Sequence, residues 1–239
     1  MDTLKIAKEN VKMIAHRGVS GLEKENTIAA FIAAGNRTYF GMECDIHLTK
    51  DNVFVVCHDD HTGRVSPIKK VIKESIYEEL SQICLLGFES KTTKNYLRIP
   101  TLKEYLEVAK KYNKYCIIEL KCELERKNVE KLLAEIEELK YLNNVIFISF
   151  NINNLKKIRR INKAVPLQYL TSTYIKELPE ICKKEKMDVN IAYSELSLPI
   201  IEEFHAFNIK VNAWTVNNPI EALILVSWNI DYITTNILE

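Results

Sequence analysis

The sequence predicts an α/β fold, a closed (β/α)8 TIM barrel, and three observations carry that expectation. Short apolar runs alternate with longer segments of helical periodicity along the 239 residues. Such alternation implies right-handed βαβ units and a parallel sheet. The runs number eight, at 11–17, 40–46, 115–121, 145–150, 166–170, 188–193, 209–215 and 231–235. That count suits a closed barrel better than an open sheet of about five or six strands, the alternative architecture. Charged residues also close the first three runs, and a parallel barrel carries its chemistry at the carboxyl ends of its strands.

Taken in order, the first run is Val11-Lys12-Met13-Ile14-Ala15, closed by His16-Arg17-Gly18. A helix follows over 27–37. The second run ends in Glu43-Cys44-Asp45, and a strand-like stretch Val53-Phe54-Val55-Val56-Cys57-His58 comes soon after it. This stretch breaks the alternation. Asp51-Asn52 between the two is a natural two-residue turn. The second strand therefore overshoots the rim, turns in a hairpin and brings His58 back to the mouth. Residues 60–98 form an excursion before the third barrel strand. A helix over 101–113 starts at Thr101, ahead of the third run, which reads Cys116-Ile117-Ile118-Glu119-Leu120-Lys121. The helix over 126–141 shows Val129, Leu132, Leu133, Ile136 and Leu139 at three- and four-residue steps. Helices over 151–163, 174–187, 197–208 and 217–228 separate the remaining runs, the last opening at Asn217 before Pro219. No repeat, low-complexity tract or flexible linker interrupts the pattern, so residues 1–239 read as one domain with a 60–98 insertion.

Composition narrows the partners. Hydrophobic residues make up 47% of the chain, enough for a sizeable core, and 33 basic residues face 32 acidic ones. A formal charge of +1 argues against nucleic acid, which calls for a strongly basic face. No apolar stretch is long enough for stable membrane insertion, and Met1–Glu9 lacks the apolar core of a signal peptide. The six cysteines form no CxxC pair. Cys44, Cys57 and Cys116 lie in strand-like runs and read as reduced core thiols of a cytoplasmic protein. Monomer and homodimer both remain open.

The strand ends suggest the chemistry. Residues i and i+2 share one face of a strand, so Glu43 and Asp45 point to one place, and so do Glu119 and Lys121. An acidic pair alone is ordinary, but burial of unpaired carboxylates is expensive. Three of them on adjacent strands raise one another's pKa unless a cation intervenes. Oxygen ligands suit one Mg²⁺ or Ca²⁺ better than zinc. With a divalent ion, a bound phosphodiester, Arg17 and Lys121, the formal charges of this cluster cancel. His16 and His58 complete the set, because phosphodiester cleavage needs a base for the attacking oxygen and an acid for the departing one. His47 and His61 are weaker candidates, and His205, on a helix, reads as structural.

Together these residues resemble the glycerophosphodiester phosphodiesterase family. The matching motifs are His16-Arg17-Gly18, Glu25-Asn26-Thr27, Glu43-Cys44-Asp45, His58-Asp59, Glu119-Leu120-Lys121 and Trp214-Thr215-Val216-Asn217. Leu48-Thr49-Lys50-Asp51, Ile99-Pro100-Thr101-Leu102, Ser149-Phe150 and Thr235-Asn236 match as well, so the resemblance spans nearly the whole chain. It implies a TIM barrel in which Glu43, Asp45 and Glu119 hold a divalent metal. His16 and His58 form the acid–base pair, Arg17 and Lys121 bind phosphate oxygens, and Trp214 lines the glycerol pocket. Asn26, near a helix start, orients the phosphate end. The implied reaction releases sn-glycerol 3-phosphate and an alcohol from a small-molecule glycerophosphodiester. His16 is assigned as base and His58 as acid, with attack by water or by a substrate hydroxyl both open. Two departures from the pattern, Lys24 for the usual proline and His61 for the usual threonine, leave the alcohol undefined. An alternative is lysophospholipase D action on acylated substrates, with Ile83, Leu85, Leu86 and Phe88 either lining an apolar groove or packing a core. A barrel that only binds a phosphoester is the remaining alternative.

Overall fold

A computed structural model of the chain describes residues 2–239; Met1, the first residue of the expected domain, lies outside them. The barrel strands are β1 (Lys12–Ala15), β2 (Gly41–Leu48), β6 (Tyr115–Leu120), β7 (Val145–Ser149), β8 (Leu167–Thr171), β9 (Asp188–Ala192), β10 (Val211–Trp214) and β11 (Tyr232–Thr235). All pair in parallel with their neighbours, and β1 pairs with both β2 and β11, which closes the barrel. Closure removes both sheet edges, and with them the unpaired backbone groups of an open sheet. The helices α1 (Ile28–Gly35), α3 (Leu102–Lys111), α4 (Arg126–Glu138), α5 (Ile152–Ile161), α6 (Leu178–Glu185), α7 (Leu198–Ala206) and α8 (Pro219–Ser227) alternate with these strands. Among the described residues no helix is long and apolar enough to cross a membrane.

Strand alternation divides the core in two. Met13, Met42, Cys44, Ile118, Phe147, Val189 and Ala213 face outward into one continuous cluster beneath the helices. Ile14, Ile117, Ile146, Ile148, Leu170 and Tyr232 face inward and fill the barrel. A polar set lies among the inward residues. Asn212 Nδ2 donates to Gln168 Oε1 at 3.0 Å, and Thr234 Oγ1 donates to Asn212 Oδ1 at 3.0 Å.

The hairpin is present, with β3 (Phe54–Val56) antiparallel to the end of β2 and His47 opposite Val55. Its turn is longer than the two residues expected. Thr49 N–H donates to Val53 C=O, and Asn52 N–H donates to Thr49 C=O. Asn52, at φ +62°, takes the left-handed position that Asn tolerates, so Lys50-Asp51-Asn52 is a three-residue loop.

The excursion holds two 3₁₀ turns, Thr62–Arg64 and Ile72–Glu74, then α2 (Tyr77–Ser81) and the ribbon β4 (Leu85–Leu86) with β5 (Thr93–Lys94). It has its own small core of Val55, Cys57, Val65, Ile72, Leu80, Ile83, Leu85, Leu97 and Ile99. Ile83 and Leu85 are each 3% exposed, so the core reading of these two holds and they line no groove.

Two helix starts differ from the sequence reading. The start of α6 is Leu178, and upstream of it the Thr173 and Tyr174 N–H groups donate to Thr171 Oγ1 and Glu195 Oε2. Asn218, not Asn217, caps α8 by accepting from Ile220 N–H at 2.8 Å. Asn217 Oδ1 instead accepts the Asn236 N–H at 2.8 Å.

Candidate active site

His16 continues the β1–β11 ladder, its N–H donating to Thr235 C=O at 2.8 Å. The chain then turns sharply, with Arg17 at φ +52° and Gly18 at φ +74°. A Cβ on Gly18 would lie 2.6 Å from the Ala30 backbone, so the first turn of α1 packs here only against glycine. His16 Nδ1 lies 2.7 Å from Asn236 Oδ1, which also accepts from Ser20 Oγ at 2.8 Å. The shared acceptor puts the ring proton on Nδ1 and leaves Nε2 with a free lone pair. Burial and the neighbouring Arg17 push the His16 pKa down to about 4, so the ring is neutral at ordinary pH.

Pairing between β2 and β6 sets Asp45 opposite Glu119, with Glu43 two residues back on the same face. One oxygen from each of Glu43, Asp45 and Glu119 lies within 4.8 Å of the others, and all three residues are buried. Burial, then the charges of Asp45 and Glu119, raise the Glu43 pKa well above the usual carboxylate range. Burial and Asp45 raise Glu119 to about 7. Asp45 goes the other way, since Arg17 and Lys121 outweigh its burial.

The cations are placed to do this. Arg17 Nε stands 3.3 Å from Asp45 Oδ2, and the Arg17 N–H donates to Glu43 Oε2 at 2.8 Å. Lys121 Nζ donates to Glu119 Oε1 at 2.8 Å and lies 3.4 Å from Asp45 Oδ1. Asn26, just ahead of the α1 cap Thr27, donates from Nδ2 to Asp45 Oδ2 at 2.8 Å. It is buried behind Asp45 and is not among the cleft-lining residues.

His58 arrives on the return of the hairpin, anchored by Cys57 N–H donating to Asp45 C=O at 3.0 Å. Its Nδ1 is 2.6 Å from Asp59 Oδ1, so Nε2 is free of that contact. His47 Nε2 lies 3.2 Å from the His58 carbonyl. His61 caps the first 3₁₀ turn, and His205 pairs with Asp231 at 2.9 Å, ahead of β11 at the opposite end of the barrel.

A cleft of about 90 Å³ joins these groups. His16, Arg17, Glu43, His58, Glu119 and Lys121 line one side; Ile148, Phe150, Leu170, Asn190 and Trp214 line the other. Phe150 meets Trp214 edge to face, with centroids 5.8 Å apart. The sequence-derived candidates therefore converge, except that Asn26 and Asp45 stand just behind the surface. Sequence reasoning missed Phe150 and Asn190 as lining residues and Asn236 and Asp59 as partners of the two histidines. Two signals pointed toward Phe150: the Ser149-Phe150 match to the family pattern and its place two residues beyond the inward-facing Ile148.

The donor set fits a divalent cation. Asp45 Oδ1 is buried without a hydrogen-bond partner, with Lys121 Nζ at 3.4 Å, in an all-oxygen donor set whose other two carboxylates are driven toward protonation. Fold and site together define a (β/α)8-barrel phosphodiester hydrolase.

Comparison with known proteins agrees. The profile of the glycerophosphoryl diester phosphodiesterase family matches residues 16–239. The chain is 28% identical over 236 residues to a glycerophosphodiester phosphodiesterase of Bacillus altitudinis, covering 94% of each. It is 30% identical over 191 residues to a human lysophospholipase D, covering 77% of this chain and 51% of that one. A phosphodiesterase of Oleispira antarctica, solved with its product sn-glycerol-3-phosphate, superposes with a TM-score of 0.87 at 26% identity, covering 97% of this chain and 95% of its own. The chain belongs to the glycerophosphoryl diester phosphodiesterase family and is a hydrolase of that family.

Proposed function

We propose that the enzyme cleaves glycerophosphodiesters to sn-glycerol 3-phosphate and an alcohol, using His16 as base and His58 as acid. The observation that carries this reading is the placement of both histidines on one cleft, each with Nδ1 held and Nε2 free, beside a buried acidic triad. His16 Nε2 takes the proton of the attacking oxygen, from water or a substrate hydroxyl, as the new O–P bond forms. His58 gives a proton to the alcohol oxygen as its bond to phosphorus breaks; where a substrate hydroxyl attacks, this leaves a cyclic phosphate, which water then opens to sn-glycerol 3-phosphate with the two histidines in reversed roles. Arg17 and Lys121 hold the phosphate oxygens and face the charge that grows on them. Trp214, with Phe150, packs against the glycerol carbons. Asn26 fixes Asp45 and so acts from behind the phosphate end.

Glu43, Asp45 and Glu119 would hold one divalent cation, Mg²⁺ or Ca²⁺, which when bound supplies positive charge to the reacting phosphate. The product complex of the Oleispira antarctica relative supports the glycerol phosphate end of this assignment.

The apolar wall of Ile148, Phe150, Leu170 and Trp214, with Phe150 47% exposed, favours a second reading in which an acylated glycerol is the substrate. Purified protein with Mg²⁺ or Ca²⁺, given glycerophosphocholine, glycerophosphoethanolamine and lysophosphatidylcholine, separates the two. Glycerol 3-phosphate from the deacylated diesters is expected. Faster turnover of the lysolipid would favour the second reading, and turnover of none would sink both.

A further inference from the structure

Arg64 stands in the excursion, outside the cleft, yet it joins both halves of the machinery. Its Nε donates to Asp59 Oδ2 at 2.7 Å, while Nη1 and Nη2 donate to Glu25 Oε2 and Oε1 at 2.7 and 2.8 Å. Asp59 holds His58 Nδ1 at 2.6 Å through its other oxygen. Glu25 Oε1 also accepts from Arg17 Nη1 at 3.0 Å. A chain of alternating charge thus runs His58, Asp59, Arg64, Glu25, Arg17. It ties the histidine of the hairpin return to the arginine that follows β1.

Stability is a partial explanation for this chain. The Arg64 side chain is 43% exposed while those of Glu25 and Asp59 are 17% and 24% exposed, so the bidentate pair adds some stability. Geometry is a better one. The guanidinium is a rigid planar fork, and here it satisfies two carboxylates at fixed angles, which a lysine point charge does not reproduce.

We propose that Arg64 is a positioning residue for the reaction, setting the ring of His58 through Asp59, with Glu25 holding the guanidinium in place. This rests on the reading of His58 as the acid. A leaving alcohol that needs a proton depends on His58, whereas nitrophenolate departs without one. Misplacing His58 therefore matters for the first kind of substrate and little for the second.

The test compares the cation-loaded wild type with Arg64→Ala, Arg64→Lys, Asp59→Asn and the Arg64→Ala/Asp59→Asn double variant. The substrates are glycerophosphoethanolamine and glycerophospho-p-nitrophenol, with thermal unfolding as a control. For Arg64→Ala, kcat on glycerophosphoethanolamine should fall about tenfold to a hundredfold. On the nitrophenyl ester it should fall less than about threefold. Arg64→Lys should recover only part of the loss, and the double variant should be no slower than Asp59→Asn alone. Equal losses on both esters, full recovery by lysine, or additive losses in the double variant would overturn the proposal. If the wild type cleaves neither ester, the reading of function fails and the proposal falls with it. If the wild type cleaves both and Arg64→Ala matches it, the proposal fails alone.

Discussion

Asp45 accepts from Asn26 on one oxygen and has no hydrogen-bond partner on the other, although the residue is 0% exposed. Removing its charge leaves Arg17 and Lys121 unbalanced and strips the triad of its one low-pKa member. Asp45→Asn should lower kcat/KM at saturating Mg²⁺ or Ca²⁺ by about a hundredfold or more, read by steady-state kinetics. His16 makes a second prediction at this scale. Its pKa is 6.5 unfolded and about 4 folded, so between those values the unfolded chain binds more protons than the native one. Stability therefore falls as pH drops from 6.5 toward 4, by about 3 kcal/mol in total, and His16→Gln should flatten the slope in urea titrations across that window. The acidic pairs and both histidines were readable in the sequence because strand periodicity alone orients i and i+2. Asn236 was not readable as the partner of His16, since 220 residues separate them and only barrel closure brings β11 beside β1.

Among the elements, the hairpin and the excursion shape the site most. The return of β3 delivers His58, and the small core under the excursion holds the turn that carries Arg64. Leu80 is fully buried in that core, so Leu80→Ala should cost about 2–5 kcal/mol, measured by denaturant unfolding. Loss of order in residues 60–98 should then appear as faster proteolysis within them. Thr101 starts α3 with a reciprocal capping box to Glu104, and Thr101→Ala should cost about 1 kcal/mol by the same method. That start was evident from the sequence because a cap is a local device. The late start of α6 was not, because the segment before it is held by a long-range contact, Tyr174 N–H to Glu195 in the next barrel unit. Similarly, dipeptide preference misjudged the hairpin loop by one residue, where the left-handed Asn52 decides the register.

For the molecule as a whole, eight apolar runs sufficed to anticipate a closed barrel, because a parallel sheet covered on both faces that also closes on itself leaves none of so many strands at an edge. The division of its mouth was only half anticipated. β1, β2 and β6 carry the charged groups, and β7, β8 and β10 carry the apolar wall of Ile148, Phe150, Leu170 and Trp214. Charged residues stand out at the end of an apolar strand, whereas apolar ones do not, so of the wall only Trp214 was legible, through the Trp214-Thr215-Val216-Asn217 motif. The two sides meet at the cleft and define one reaction centre. Release of sn-glycerol 3-phosphate from glycerophosphoethanolamine tests that centre most directly, measured for wild type and His16→Ala after chelation and again after adding back Mg²⁺ or Ca²⁺. Chelated wild type should be inactive and recover on cation addition, with cation-loaded His16→Ala slower than cation-loaded wild type by about a hundredfold or more. Undiminished release from the chelated enzyme or from His16→Ala, or no release from the cation-loaded wild type, would contradict the assignment.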